Sequence, residues 1–334
     1  MKVLAGDIGG TKTLLCIVEF SATSANGEVI AEQRYDSGAY PGLQPMIEEF
    51  LATIGKGKRP INKACFGVAG PIIHTPEGQS VKVTNLPWQF DSNGLAKQLG
   101  IKKLALVNDF QAIGYGIEAL AAQDLRQLQA GTMRARNPRL VIGPGTGLGM
   151  GIMYWQDDHY EVMASEGGHV DFAPTEPLQI ELLHYLLRRF GHVSYERILS
   201  GSGLVHIYEF LSERQPERAN QVVLAGQGNG DPAAAISQAA LDAKDAVAVQ
   251  AVQLFAGICG AYAGNLALIC LPYGGVYIAG GIAPKLIDIF TDGAFMSAFT
   301  NKGRMGSLLA AMPVQVVLNT KIGLMGAALA ARRL

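Results

Sequence analysis

Charge is scarce in this sequence. Asp, Glu, Lys and Arg make up only 16% of its 334 residues, and 27 basic against 28 acidic residues leave a formal net charge of −1. That balance gives no electrostatic case for a nucleic-acid partner or an anionic membrane surface. Cysteine is scarce as well. Cys16, Cys65, Cys259 and Cys270 are scattered, with no C-x-x-C pair and no His at zinc-ligand spacing, which argues against a zinc module or a disulfide framework. Three of the four sit in apolar runs, so buried free thiols in a reducing cytoplasm are expected. No secretory leader is expected, because Met1-Lys2 runs straight into an apolar stretch. A P-loop is missing too: no Gly-Lys-Ser/Thr follows four residues after a Gly.

One segment lacks charge altogether, from Ala246 to Pro284. Gln250, Gln253, Asn265 and several glycines interrupt it, and Pro272-Tyr273-Gly274-Gly275 breaks it. Its continuous apolar part falls short of the ~20 residues a spanning helix needs. Ala243 to about Leu271 is therefore expected as a core helix, apolar nearly all round, and no membrane span is expected. Hydrophobic residues are plentiful at 49%, enough for two α/β domains with a core each.

Against this background two glycine turns stand out. Val3-Leu4-Ala5-Gly6-Asp7-Ile8-Gly9-Gly10-Thr11 leads into the apolar run Leu14–Val18, the pattern of a β-hairpin. Glycines let backbone N–H groups surround a phosphate, Thr11 adds a hydroxyl, and Asp7 could hold a hydrated Mg²⁺ beside the phosphates. The plain alternative is a Gly-rich hairpin with no ligand. Leu140 to Tyr154 repeats the device around Gly145, Thr146 and Gly147, and the repetition favours a nucleotide phosphate clamp shared by two related halves. A strand rather than a helix follows Gly10, so the spacing of Gly6, Gly9 and Gly10 is no dinucleotide fingerprint. Gly280-Gly281, after the buried run from Gly275, is a third backbone-exposing turn.

Between the turns the chain alternates β and α patterns. Glu28–Tyr35 reads as a strand, Leu43–Ile54 as a helix, and Lys63–Pro71 as a strand with a Gly-Pro end. Ser92–Leu99 reads as a helix with Ser92 as its cap, and Leu104–Val107 as a strand ending at Asn108-Asp109. In open α/β sheets ligands bind at the carboxyl ends of strands. Asp109 there is a helix cap, a general base, or both at once. Glu166 and His169 flank Gly167-Gly168, and Glu196 precedes Ser200-Gly201; alone, each could be a turn or first-turn residue. Together these residues suit a neutral polyol, since carboxylates accept from hydroxyls, Asn does both, and His can orient one. The polar stretch from Ser212 to Asp231 reads as a surface connection.

Asp7-Ile8-Gly9-Gly10-Thr11, Val107-Asn108-Asp109-Phe110, Gly145-Thr146-Gly147-Leu148-Gly149, Glu166 to Phe172, Glu196 to Gly201 and Gly280-Gly281 resemble, in order, the motifs of the bacterial-type glucokinase family. The resemblance runs from Val3 to Ala328. It implies the actin/hexokinase-like (ribonuclease H-like) α/β fold, with a ligand cleft between a small domain (1–119 plus 320–334) and a large one (120–319). It also implies ATP-dependent phosphorylation of glucose with Mg²⁺, in glycolysis and in the cytoplasm. Asn108, Asp109, Glu166, His169 and Glu196 then look like the sugar set, with Asp109 as base. Gly6, Asp7, Ile8, Gly9, Gly10, Thr11, Gly145, Thr146, Gly147, Gly280 and Gly281 look like the nucleotide set, with Asp7 on the metal. A homodimer is the expected assembly. A related group of sugar kinases and repressors carries a zinc-binding cysteine cluster after the equivalent of His169, and Val170 to Pro174 has none, so structural zinc is not expected. Pro144 stands where a small residue is expected and would stiffen the second turn. Kinases for another hexose or amino sugar, a non-catalytic sugar sensor, and a chaperone- or actin-like ATPase are the alternatives.

Overall fold

The computed structural model describes residues 1–21, 27–54, 61–76, 78–217 and 230–334. The chain divides into two compact units. One comprises Met1–Ala122, Asp158–Ala164 and Asn319–Leu334, the other Gln123–Asp157 and Ser165–Leu318.

In the first unit β1 (Lys2–Ile8), β2 (Lys12–Glu19) and β3 (Glu28–Asp36) run antiparallel, and β4 (Lys63–Val68) lies parallel to β1. A small antiparallel sheet of β5 (Ile72–Thr75), β6 (Gly78–Lys82) and β7 (Gln89–Asp91) intervenes. β8 (Lys103–Asn108) then pairs parallel with β4, giving the order β3-β2-β1-β4-β8. Val3, Leu4, Ala5 and Ile8 of β1 are all buried, as the near-continuous apolar run of a strand covered on both faces requires. Helix Leu43–Thr53 buries Leu43, Met46, Ile47 and Phe50, the i, i+3, i+4, i+7 stripe. Helix Ser92–Leu99 is capped by Asp91 and not, as the sequence suggests, by Ser92. The Asp91 carboxylate accepts the Gly94 N–H at 2.6 Å, while Ser92 Oγ accepts from Gln79 N at 3.1 Å. The C-terminal helix Ile322–Arg333 crosses helix Asp109–Gly116 so closely that Gly326 leaves no room for a Cβ against the Ala112 carbonyl.

The second unit repeats the hairpin-plus-parallel-strand plan. Its strands are β9 (Leu125–Gln129), β10 (Arg139–Pro144) and β11 (Leu148–Gln156). The next strand, β12 (His159–Ser165), falls with the first unit over residues 158–164. β13 (Val276–Ile278) lies parallel to β10, β14 (Val314–Val317) parallel to β13, and β9 antiparallel to β14. The run β11-β10-β13-β14 thus has the same directions as β2-β1-β4-β8, so the two related halves read from the glycine turns share a topology.

The uncharged stretch forms a helix from Ala246 to Cys270, three residues later in starting than the sequence pattern implies, because Asp245 caps it. At 25 residues it is long and apolar enough to cross a membrane, contrary to the expectation from its interruptions, yet 67% of its most apolar window is buried inside the protein. Val247, Ala251, Phe255, Ile258 and Tyr262 join the core of this unit. All four cysteines are free, and burial pushes the Cys16, Cys65 and Cys259 thiols up to about 12, which keeps them protonated. The expected surface connection from 212 to 231 lies mostly outside the described residues, although Ser212–Arg214 still belong to helix Gly201–Arg214.

Candidate active site

The first glycine turn joins β1 to β2. Its backbone closes through Gly9 N–H to Lys12 O at 3.0 Å, and Ser37 N–H donates to Thr11 O at 3.0 Å. The buried Ser37 hydroxyl donates to Gly9 O at 2.8 Å and lies 3.0 Å from Thr13 Oγ1, so the turn is held from β3's end. Nothing in the sequence flags Ser37, because it reaches the turn only through sheet pairing. Gly6 and Ile8 have packing reasons: a Cβ on Gly6 would stand 2.6 Å from the Phe66 ring, and the Ile8 side chain is fully buried. Asp7 is half-buried. Burial pushes its carboxyl above the usual carboxylate range, and the Lys12 ammonium draws it partly back. The first turn of helix Ile322–Arg333 lies beside it, with the Cβ position of Gly323 3.4 Å from Asp7 Oδ2. A helix N-terminus favours the charged carboxylate there. Among the described residues no three His, Cys, Asp or Glu side chains gather as metal ligands. The single Asp7 carboxylate beside the turn would suit a Mg²⁺ whose other ligands are phosphate oxygens and water.

Asn108 and Asp109 stand where β8 meets helix Asp109–Gly116. The cap is Asn108, not Asp109: Asn108 Oδ1 accepts the Phe110 N–H at 2.9 Å, and Gln111 Oε1 accepts the Asn108 N–H at 3.1 Å, a reciprocal capping box. Asn108 Nδ2 also donates to Gly70 O at 3.3 Å. Asp109, at the first helical position and half-buried, accepts the same Phe110 N–H at 2.9 Å through Oδ1.

Glu166, His169 and Glu196 meet in the second unit. Glu166 precedes the 3₁₀ turn Gly167–His169, which His169 ends, and Glu196 sits in the 3₁₀ turn Tyr195–Arg197. Backbone bonds from Tyr195 N to Val170 O and from Phe172 N to Val193 O, both 3.0 Å, draw the two turns together. His169 Nε2 lies 3.9 Å from Glu166 Oε2, and His169 Nδ1 lies 3.9 Å from Glu196 Oε1. The imidazole thus stands between two carboxylates. Glu166 and His169 are exposed and Glu196 is half-buried, so the group can reach a soluble ligand. Glu196 does not cap the following helix; Ser200 does, its Oγ accepting the Gly203 N–H at 3.1 Å.

The second glycine turn lies beside this group. Gly147 owes its identity to Glu196, whose Oε2 would be 2.6 Å from a Cβ there. Gly10 faces Thr84 O at 3.1 Å in the same sense, whereas Gly145 and Gly281 face open space. Both line a pocket of about 790 Å³ together with Thr146, Ser202 and Lys285. That size suits a cofactor-sized ligand. Gly280, at φ +82°, packs where a Cβ would come within 2.5 Å of Pro144 O, and Ile282 N donates to the same carbonyl at 3.3 Å. Pro144 is thus the point where the third turn docks on the second. The first turn of helix Gly201–Arg214 opens on the pocket, whose lining also holds Lys285, Arg189, Glu209 and Asp231; the helix turn and Lys285 are a combination suited to phosphate. Ser202 and Lys285 carry no local sequence signal; only the chain path puts them there.

A family model described as Glucokinase matches residues 4–334. A glucokinase of Nostoc sp. is 48% identical over 345 residues, covering 99% of each chain. Among solved structures, a glucokinase from an Antarctic psychrotroph has a TM-score of 0.85 at 29% identity, over 100% of this chain and 99% of that one. A ROK family glucokinase from Streptomyces griseus, solved with glucose and AMPPNP, has a TM-score of 0.66 at 23% identity, over 100% of both chains.

Proposed function

The chain belongs to the glucokinase family, with the fold of hexokinases and actin-like ATPases, and on that premise we propose which of its residues do the work. The reaction is the ATP-dependent phosphorylation of glucose to glucose 6-phosphate. The observation that carries the assignment of residues is the carboxylate–imidazole–carboxylate group of Glu166, His169 and Glu196 beside a glycine turn. Its acceptors match the hydroxyls of a neutral sugar, and it contains no Arg or Lys for an already phosphorylated one. Asn108 adds an amide that donates and accepts.

A hydroxyl is a poor nucleophile near pH 7. Asp109 takes the proton from the sugar's 6-hydroxyl as that oxygen bonds to the γ-phosphorus and the bond from phosphorus to the ADP oxygen breaks. Asn108 is the helix cap, while Asp109 accepts the Phe110 N–H that Asn108 also accepts, which keeps Asp109 eligible as the base. Gly145, Thr146 and Gly281 lie against the nucleotide, with Lys285 on its phosphates. The Asp7 turn, through Gly9, Gly10 and Thr11, holds the phosphate end. Mg²⁺, held by Asp7, neutralises phosphate charge when bound. Phosphoryl transfer depends chiefly on such positioning and electrostatics. The enzyme is proposed to act as a cytoplasmic homodimer without nucleic-acid or membrane partners; light scattering tests the dimer.

Coupled ADP detection with and without glucose tests the reading. ADP release should depend on glucose, and Asp109→Asn should abolish turnover while leaving glucose binding measurable by fluorescence or calorimetry. Near-normal turnover in that variant would show the base assignment to be wrong.

A further inference from the structure

We propose that Gln111 is a positioning residue for phosphoryl transfer, because its amide ties the Asn108–Asp109 turn to strand β12. The inference rests on Asp109 being the base. A capping box needs only an acceptor at this place, which Glu supplies as well as Gln. Here the side chain makes a second bond. While Oε1 accepts the Asn108 N–H at 3.1 Å, Nε2 donates to the carbonyl of Val162 at 3.0 Å. A carboxylate would set an oxygen against that carbonyl and repel it. The requirement for Gln therefore comes from the strand, beyond the needs of the helix end.

The surrounding contacts make that bond a control on direction. Gly114 brings the helix onto Val162, where a Cβ would stand 2.7 Å from Val162 Cγ1. Beneath the helix, Gly67 of β4 lies where a Cβ would meet Ala112 at 2.8 Å. The helix body is thus wedged, while its first residue, Asp109, is steered by the links at its N-terminal end. Of those links, Asn108 Nδ2 to Gly70 O is the longer, at 3.3 Å. The Gln111 bridge, shorter at 3.0 Å, ties this turn to strand β12. A shift of about 1 Å in a reacting group can cost on the order of 10²-fold in rate.

The test compares three variants. Gln111→Met keeps length and removes both bonds. Tyr115→Phe removes the other side-chain bond between the same helix and β12, Tyr115 OH to Glu161 at 2.7 Å, one turn farther from Asp109. Asp109→Asn reports on the premise. Gln111→Met should lower kcat roughly tenfold to a hundredfold with KM for ATP within about twofold, and the shape of its kcat–pH profile should not change. Tyr115→Phe should lower the melting temperature but leave kcat unchanged. Unchanged kcat in folded Gln111→Met, or equal losses of kcat in both helix variants, overturns the inference. If Gln111→Met does not fold, Gln111→Ser is judged by the same kcat criterion. If Asp109→Asn keeps its activity, the base assignment fails and not merely the tether.

Discussion

Glu196 Oε2 accepts the amide N–H of Leu148 at 3.0 Å, while its Oε1 faces His169 at 3.9 Å. One carboxylate therefore closes the second glycine turn and also belongs to the proposed sugar group. The first task explains why residue 147 has no side chain.

This double role separates three variants. Glu166→Gln and Glu196→Gln should each raise the KM for glucose about ten- to hundredfold, since a hydrogen bond to a charged group contributes ~1.5–3 kcal/mol. KM for ATP should change little. Glu196→Ala should in addition lower the melting temperature, because Leu148 N–H loses its acceptor. If the Gln variants lose stability and keep their glucose KM, these acids have a structural task only.

The glycines give a cleaner probe of the nucleotide than their spacing implies. Gly147→Val would drive into Glu196, so a loss there mixes both substrates. Gly145→Ala meets nothing within 4 Å and lines the pocket. It should fold normally, raise KM for ATP and spare KM for glucose. Unchanged ATP affinity in this variant would remove Gly145 from the phosphate site.

His159 should make stability depend on pH. Its hydrogen bonds to Asp158 and Glu161 hold the imidazole above its usual range, against opposing effects of burial and Arg333. A raised folded value means the stabilisation is complete below the unfolded value, ~6.5, and fades as pH rises through the folded one. Urea midpoints of wild type and His159→Gln should therefore differ most near pH 5.5 and converge by pH 8.5. A difference constant across that range would exclude the linkage.

Asp245 is buried and fully used. Its Oδ1 accepts Val247 N–H at 2.8 Å and Ala248 N–H at 3.0 Å, and its Oδ2 accepts Tyr208 OH at 2.6 Å. Asp245→Ala uncaps the central helix and removes the carboxylate that accepts from Tyr208 OH. The expected loss is about 2–5 kcal/mol by urea unfolding, the sum of a cap and a hydrogen bond to a charged group. Asp245→Asn, which keeps an acceptor, should lose less.

Sequence spacing alone determined much of this protein. The 3.6-residue stripe of Leu43–Thr53, the two glycine hairpins and the strand ending at Asn108 are legible because torsion preference and burial period are local properties. The motif order pointed to the family for the same reason. Local pattern failed at Asp91, whose acceptor lies one step before the helix that the period marks, and at Asp245, which caps from inside the stretch the period assigns to the helix. Tertiary structure alone decided that Ser37 holds the first turn, that Glu196 fills the space above Gly147, and that the amide of Gln111 reaches Val162. Those contacts join residues 28, 49 and 51 positions apart, and no short-range pattern encodes them, since they arise only when sheet pairing and helix crossing bring distant backbone within hydrogen-bond reach.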